Sequence, residues 1–81
     1  MALSIKEVQK ILELCRNAQP ITDLMKNHEW KDRTKFKNKF LKPLIELNII
    51  AMTIPDKPNS SKQKYIITEN GSELLNSLIQ Q

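Results

Sequence analysis

The sequence predicts a mainly α-helical domain that carries one small β-hairpin. Three observations lead there. Apolar residues recur at helical spacing in four stretches, and two short β-rich runs flank a loop dense in turn formers. The third is the stretch from Lys31 to Leu47, which separates into a greasy face and a cationic one.

Helix 1 is expected at about residues 4–16. Ser4-Ile5-Lys6-Glu7 forms a capping box, Leu3 is placed to pack on Val8, and Ile5, Val8, Ile11, Leu12 and Cys15 form the inward stripe. Asn17-Ala18-Gln19-Pro20 breaks it, and Pro20-Ile21 reads as a short extended piece. Thr22 then caps helix 2, about 22–28, with Asp23 in its first turn and Leu24 and Met25 on its buried side. His28-Glu29-Trp30 is the turn after it.

Asp32 opens helix 3, about 32–47. On a helical wheel of roughly 100° per residue, Phe36, Phe40, Leu41, Leu44 and Leu47 share one arc. Lys31, Lys35, Asn38, Lys39 and Lys42 share the opposite arc, while Arg33 and Lys37 fall near the border with the apolar one. Pro43 predicts a kink, because it lacks an N–H and crowds the carbonyl of Lys39. Asn48 closes the helix in a left-handed turn. A hairpin is expected at about 49–67, with strands Ile49–Ile54 and Lys64–Ile67 around the tip Pro55–Gln63. Thr68 caps helix 4, about 69–79, where Leu74, Leu75, Leu78 and Ile79 point inward and Gly71 allows close approach to the hairpin.

Eighty-one residues make one domain, near the lower size at which a single core is enough. The net charge of +4 is unevenly placed. Residues 31–64 hold nine Lys/Arg against three acids, a balance of +6, and the remainder holds four against six, a balance of −2. That asymmetry points to a polyanionic partner. A lone cysteine, Cys15, forms no internal disulfide, and no apolar run approaches the ~18–20 residues that span a bilayer. With no signal-peptide pattern either, the expected location is the cytoplasm. The single glycine excludes a phosphate-binding loop, no two acids are set apart as an acid–base pair, and His28 has no companions for a metal. The expectation is a non-enzymatic domain without cofactor or metal.

The order helix, helix, helix, hairpin, helix is that of a winged helix-turn-helix with a C-terminal helical extension, in which the hairpin loop is the wing. Phosphates need cations, and base edges need forked or amide side chains. Helix 3 supplies Lys35, Asn38, Lys39 and Lys42, with Lys31 and Arg33 at its start; the wing supplies Lys57, Asn59, Ser60, Ser61, Lys62 and Gln63. The expected DNA-binding set is Lys31, Arg33, Lys35, Asn38, Lys39, Lys42, Lys57 and Lys62, acting on double-stranded DNA.

Particular words strengthen this. Lys31-Asp32-Arg33-Thr34, Phe36, and Phe40-Leu41-Lys42-Pro43-Leu44 are followed by Met52-Thr53-Ile54-Pro55-Asp56-Lys57-Pro58-Asn59-Ser60, Gln63-Lys64-Tyr65, Thr68 and Gly71. Together they resemble the C-terminal winged-helix domain of bacterial transcriptional regulators described as RecG-related (ATP-dependent DNA helicase-related) or Fic-like. Those proteins typically carry an N-terminal AlbA-type domain and an ATP-binding-like middle domain. The resemblance runs from helix 1 onward, and the proline-rich wing is its most specific part. Asn48 stands where that family usually has Gly. The resemblance implies a C-terminal domain of a larger protein, excised or naturally separate, with any ATPase or helicase activity belonging to other domains.

Blander readings compete. A cationic helix face is also an ordinary solvated surface, and a stiff wing also suits docking on a parent protein or a second copy. Arg33 either meets phosphate or pairs with a carboxylate such as Asp32. Trp30 either seals the corner between helices 2 and 3 or stacks on a base. Leu14 with Leu74, Leu75, Leu78 and Ile79 offers apolar surface for a protein–protein or dimerisation role, the rival to DNA binding.

Overall fold

The computed structural model describes residues 5–27 and 30–80. The capping box, which depends on Ser4, its partner Leu3, and His28 and Glu29 of the turn lie outside the described residues. Helix α1 runs Ile5–Leu14, α2 runs Ile21–Asn27, and a third helix, α3, covers residues 33–46. Strands β1 (Ile50–Met52) and β2 (Tyr65–Ile67) pair antiparallel, and α4 (Glu69–Ile79) follows. The fold is mainly helical with a two-stranded antiparallel sheet.

One core joins all of these elements. Val8, Ile11, Leu12 and Cys15 of the first helix meet Leu24 and Met25, then Phe36, Phe40, Leu41 and Leu44 of α3, Ile50 and Tyr65 of the strands, and Leu75. Ile5, expected on the inward stripe, is 65% exposed in the first turn of α1. Helix α2 begins one residue before the expected cap. The Pro20 carbonyl accepts from Asp23 at 3.1 Å and Leu24 at 3.3 Å, so Thr22 sits inside the first turn.

The extended piece before α2 is centred on Gln19 rather than on Pro20-Ile21. The Gln19 N–H donates to the Tyr65 carbonyl at 2.9 Å, and the Tyr65 N–H returns a bond to the Gln19 carbonyl at 2.8 Å. The Ile67 N–H donates to the Cys15 carbonyl at 2.8 Å. Strand β2 is therefore held on both edges, by β1 on one side and by the chain leaving α1 on the other.

Helix α3 shows how the chain handles a proline. Asp32 caps it by accepting from the Lys35 amide at 3.1 Å. The first turn, Arg33–Phe36, is α-helical, Lys37–Leu41 is π-helical, and Lys42–Glu46 is α-helical again. In the wide segment the Lys42 N–H reaches back five residues to the Lys37 carbonyl. Pro43 has no N–H to give to Lys39, and its ring crowds that carbonyl; one wider turn just before it relieves the crowding. The expected kink is thus met by a π-helical turn. The wider turn also shifts the phase of the residues beyond it. Leu44 is buried, but Leu47, which the wheel places on the same arc, is 68% exposed.

Asn48 ends α3 with φ of 59°, the left-handed conformation anticipated for it. The Ile49 N–H donates to the Leu44 carbonyl at 2.8 Å and the Asn48 N–H to the Ile45 carbonyl at 3.0 Å, so the last orphan carbonyls are satisfied. The Ile49 carbonyl then receives the start of α4, from the Thr68 N–H at 3.0 Å and the Thr68 hydroxyl at 2.8 Å. Thr68 Oγ1 in turn caps α4 by accepting from the Gly71 amide at 3.0 Å. A Cβ on Gly71 would lie 2.1 Å from the Ile49 oxygen and 2.7 Å from Ile67 Cγ1, which is the close approach this glycine permits.

Gly71→Ala should therefore destabilise the domain despite alanine's better helix propensity. A loss of about 1–3 kcal/mol is expected from the forced overlap, read as a lowered midpoint in thermal unfolding by circular dichroism. An unchanged or raised midpoint would show that α4 does not sit this close to Ile49.

Candidate nucleic-acid interface

The outer surface of α3 and the loop between the strands both carry exposed cations. Lys31, Arg33, Lys35, Asn38 and Lys42 are exposed on or just before the helix, and Lys57 and Lys62 are exposed on the loop. Lys39 is half-buried. Its ammonium lies 5.4 Å from the Trp30 ring centroid and 5.4 Å from that of Phe40, a cation–π arrangement that lays the side chain along the aromatic cluster. Trp30 packs edge-on against Phe40 at 5.5 Å and lies 6.0 Å from Phe36, sealing the approach to α3.

Three concavities organise these groups. Trp30, Lys35, Asn38 and Lys39 line one shallow depression. A second, more apolar groove of about 300 Å³ runs between α3 and the hairpin and is lined by Lys37, Asn38, Lys42, Ile45, Met52 and Pro58, among others. A third cleft, about 330 Å³, lies where Arg33 and Lys37 face the loop segment around Pro58–Ser61 and the start of α2. Asn38 is shared by the first two, and Lys37 by the second and third. The predicted residues are thereby divided: Lys35, Asn38, Lys39 and Lys42 line the outer depressions, and Arg33 lines the cleft.

The family model for the Filamentation induced by cAMP protein Fic-like, C-terminal domain, matches residues 6–68. The chain belongs to this family. A crystal structure of a Fic family protein from Desulfovibrio desulfuricans G20, at 2.70 Å resolution, superposes with a TM-score of 0.65 at 27% sequence identity. That match covers 84% of this chain and 21% of the other, so the chain spans about one fifth of the matched protein's length. A comparison with curated proteins finds no match.

Within this Fic-like C-terminal domain, Gln63 departs from its expected role. The sequence pattern puts it with the DNA-facing residues of the wing, but it is 5% exposed. Its Oε1 accepts from the Ile54 N–H at 2.9 Å, while Nε2 donates to the carbonyls of Ile54 and Lys57. The side-chain amide thus takes the place of a backbone peptide and extends the ladder by one rung beyond the Thr53 N–H to Lys64 carbonyl bond of 2.9 Å. The loop is also tied to α3. Lys37 Nζ donates to Asn59 Oδ1 at 2.9 Å. The helical wheel marks Lys37 only as a border cation, and the signal for its role is its position one turn after Arg33, which aims both residues to the same side.

Tyr65 forms part of the cleft. Burial pushes its hydroxyl above the ordinary phenol value, and the positive charge of Arg33 pulls part of the way back. Arg33 therefore acts on the tyrosine side of the cleft as well as on solvent. Cys15 sits in the core with its thiol pushed up to about 12 by burial alone. Among the described residues no group of three His, Cys, Asp or Glu could hold a metal ion, and no helix is long and apolar enough to cross a membrane.

Two outcomes are expected. Gln63→Ala should cost about 1–3 kcal/mol by stripping the half-buried Ile54 groups of partners, and should raise the hydrogen-exchange rate of the Ile54 amide selectively. Protection of Ile54 equal to wild type would contradict the pairing. Cys15 should ignore a thiol reagent at pH 8 while folded and react at once in denaturant. Because the unfolded thiol ionises near its usual value and the folded one only near 12, stability should fall as pH rises between those two values.

Proposed function

We propose that this domain is a winged helix that binds duplex DNA, with α3 in the major groove and the β1–β2 loop as a wing along the backbone or minor groove. The observation that carries the reading is the shared surface of α3 and loop. Lys37 and Asn59 join the two, and Lys31, Arg33, Lys35 and Lys42 on or just before α3, with Lys57 and Lys62 on the loop, are exposed. The bridge between Gln19 and Tyr65 ties the hairpin to the connection between the first two helices, which suits the same topology. Gln63 and two prolines stiffen the wing, so little ordering entropy would be lost on contact.

Lys35, Asn38, Lys39 and Lys42 are assigned to the groove, with Asn38 as the amide able to read an adenine edge. Lys31, Arg33, Lys57 and Lys62 are assigned to phosphates. The domain itself is read as non-catalytic, as the C-terminal part of a larger cytoplasmic Fic-like regulator of transcription, with the RecG-related kinship a second description of such parents. One finding favours a second reading. Leu47 and Ile79 are 68% and 48% exposed, which suits contact with other domains of a parent protein or with a second copy.

Fluorescence anisotropy with a labelled random duplex at several salt concentrations tests the DNA reading. Neutralising ~4–6 phosphates gives a log–log salt slope of about −4 to −5, and Lys35/Lys39/Lys42→Glu together should abolish binding while leaving the fold intact. A slope near zero, or undiminished binding by the triple variant, would overturn it. Concentration-dependent sedimentation with no DNA affinity would favour the second reading.

A further inference from the structure

The cleft between α3 and the wing has a composition that duplex binding does not call for. Arg33 and Lys37, one helical turn apart, contribute two positive charges, and no Asp or Glu is among the described residues that line the cleft. Like charges so placed repel each other modestly, and among the described residues no lining carboxylate offsets them. Opposite them stand hydroxyls and an amide: Thr22 at the start of α2, and Asn59, Ser60 and Ser61 on the wing. The remaining wall is apolar, from Pro20, Ile21 and Pro58, with Tyr65 beside it.

We propose that this cleft binds a small phosphomonoester, its phosphate held by Arg33 and Lys37 and its organic part lying against Pro20, Ile21 and Pro58. Charge decides for a monoester. Two cations match the nearly doubly negative monoester, whereas each phosphate of a nucleic-acid backbone is a singly charged diester. Geometry agrees. The guanidinium of Arg33 presents a planar fork suited to two phosphate oxygens, and Lys37 keeps two of its three N–H donors after its bond to Asn59. That bond also holds the ammonium at the cleft instead of letting it swing into solvent. The volume of about 330 Å³ is at the small end of ligand sites and exceeds what a bare phosphate fills, leaving room for one ring.

The site joins α3 to the wing, so its occupant would fix the spacing between the two elements assigned to DNA. The inference does not rest on DNA binding: of the residues assigned to DNA, Arg33 alone lines the cleft, and Lys35, Lys39 and Lys42 do not.

Phenyl phosphate is the probe, titrated into the isotope-labelled 81-residue chain at low salt and pH 7.5 and followed by backbone amide shifts. Saturable shifts confined to Thr22, Arg33, Lys37 and residues 59–61 are expected, with inorganic phosphate binding the same place more weakly. Arg33→Gln should weaken phenyl phosphate about tenfold, the loss of one charge-assisted contact. Lys37→Gln should do the same, and it serves as the second variant should the first be poorly folded. Lys35/Lys39/Lys42→Gln, compared at about 150 mM salt, should bind phenyl phosphate with at most a small change, whatever it does to duplex affinity. The proposal fails if the shifts never saturate and spread equally to Lys35 and Lys42, which is charge screening. It also fails if both single variants bind as wild type, or if the cleft amides answer only to duplex DNA.

Discussion

The backbone of Tyr65 is the point on which the arrangement depends. It gives both of its hydrogen bonds to Gln19 while standing opposite Met52 across the ladder, and its ring is buried in the core. That one residue fixes the end of the α1–α2 connection, the hairpin and, through the hairpin, the loop that faces α3. A small core, thirteen buried apolar side chains among the described residues, would leave a long polar loop free; a strand paired on both edges does not. The cleft exists because this pairing brings segments distant in sequence to the same side of the molecule.

A second level of constraint lies in the loop itself. The tip between β1 and β2 contains no regular ladder, yet several of its polar groups are satisfied locally. Ser60 accepts from the Lys62 amide at 3.1 Å, and the Gln63 amide replaces a missing backbone partner for Ile54. A buried amide with all its groups paired gives rigidity and geometric definition more than net stability. That rigidity is what lets a single exposed bond, Lys37 to Asn59, hold helix and loop in one relation. In solvent such a bond is worth little by itself; on a preformed loop it selects one position among few.

Helix α3 shows a compromise between packing and presentation. Phe36, Phe40, Leu41 and Leu44 fill the core, and a π-helical turn absorbs Pro43 without ending the helix. The same turn rotates the last residues, so that Leu47 emerges at the surface. On the other side Lys39 lies over Trp30, which places a charge above the aromatic cluster without burying it.

The sequence by itself determined the element types and their order, because apolar periodicity and cap residues act locally: Asp32 and Thr68 cap the helices they were expected to cap, and Asn48 turns left-handed as its small polar side chain allows. Gly71 could be singled out for close approach, and the cations of residues 31–42 could be assigned to one helix. Only the tertiary structure decided the rest. Whether Gln63 faces solvent or its own loop depends on where Ile54 and Lys57 come to lie, and a wheel of fixed angle cannot register a π-helical turn. Nor can local pattern show that Gln19 pairs with Tyr65, since the two are far apart in the chain. The cleft is likewise a product of tertiary structure, because its two cations come from α3 and its hydroxyls from α2 and the wing, joined by folding and by nothing in the chain between them.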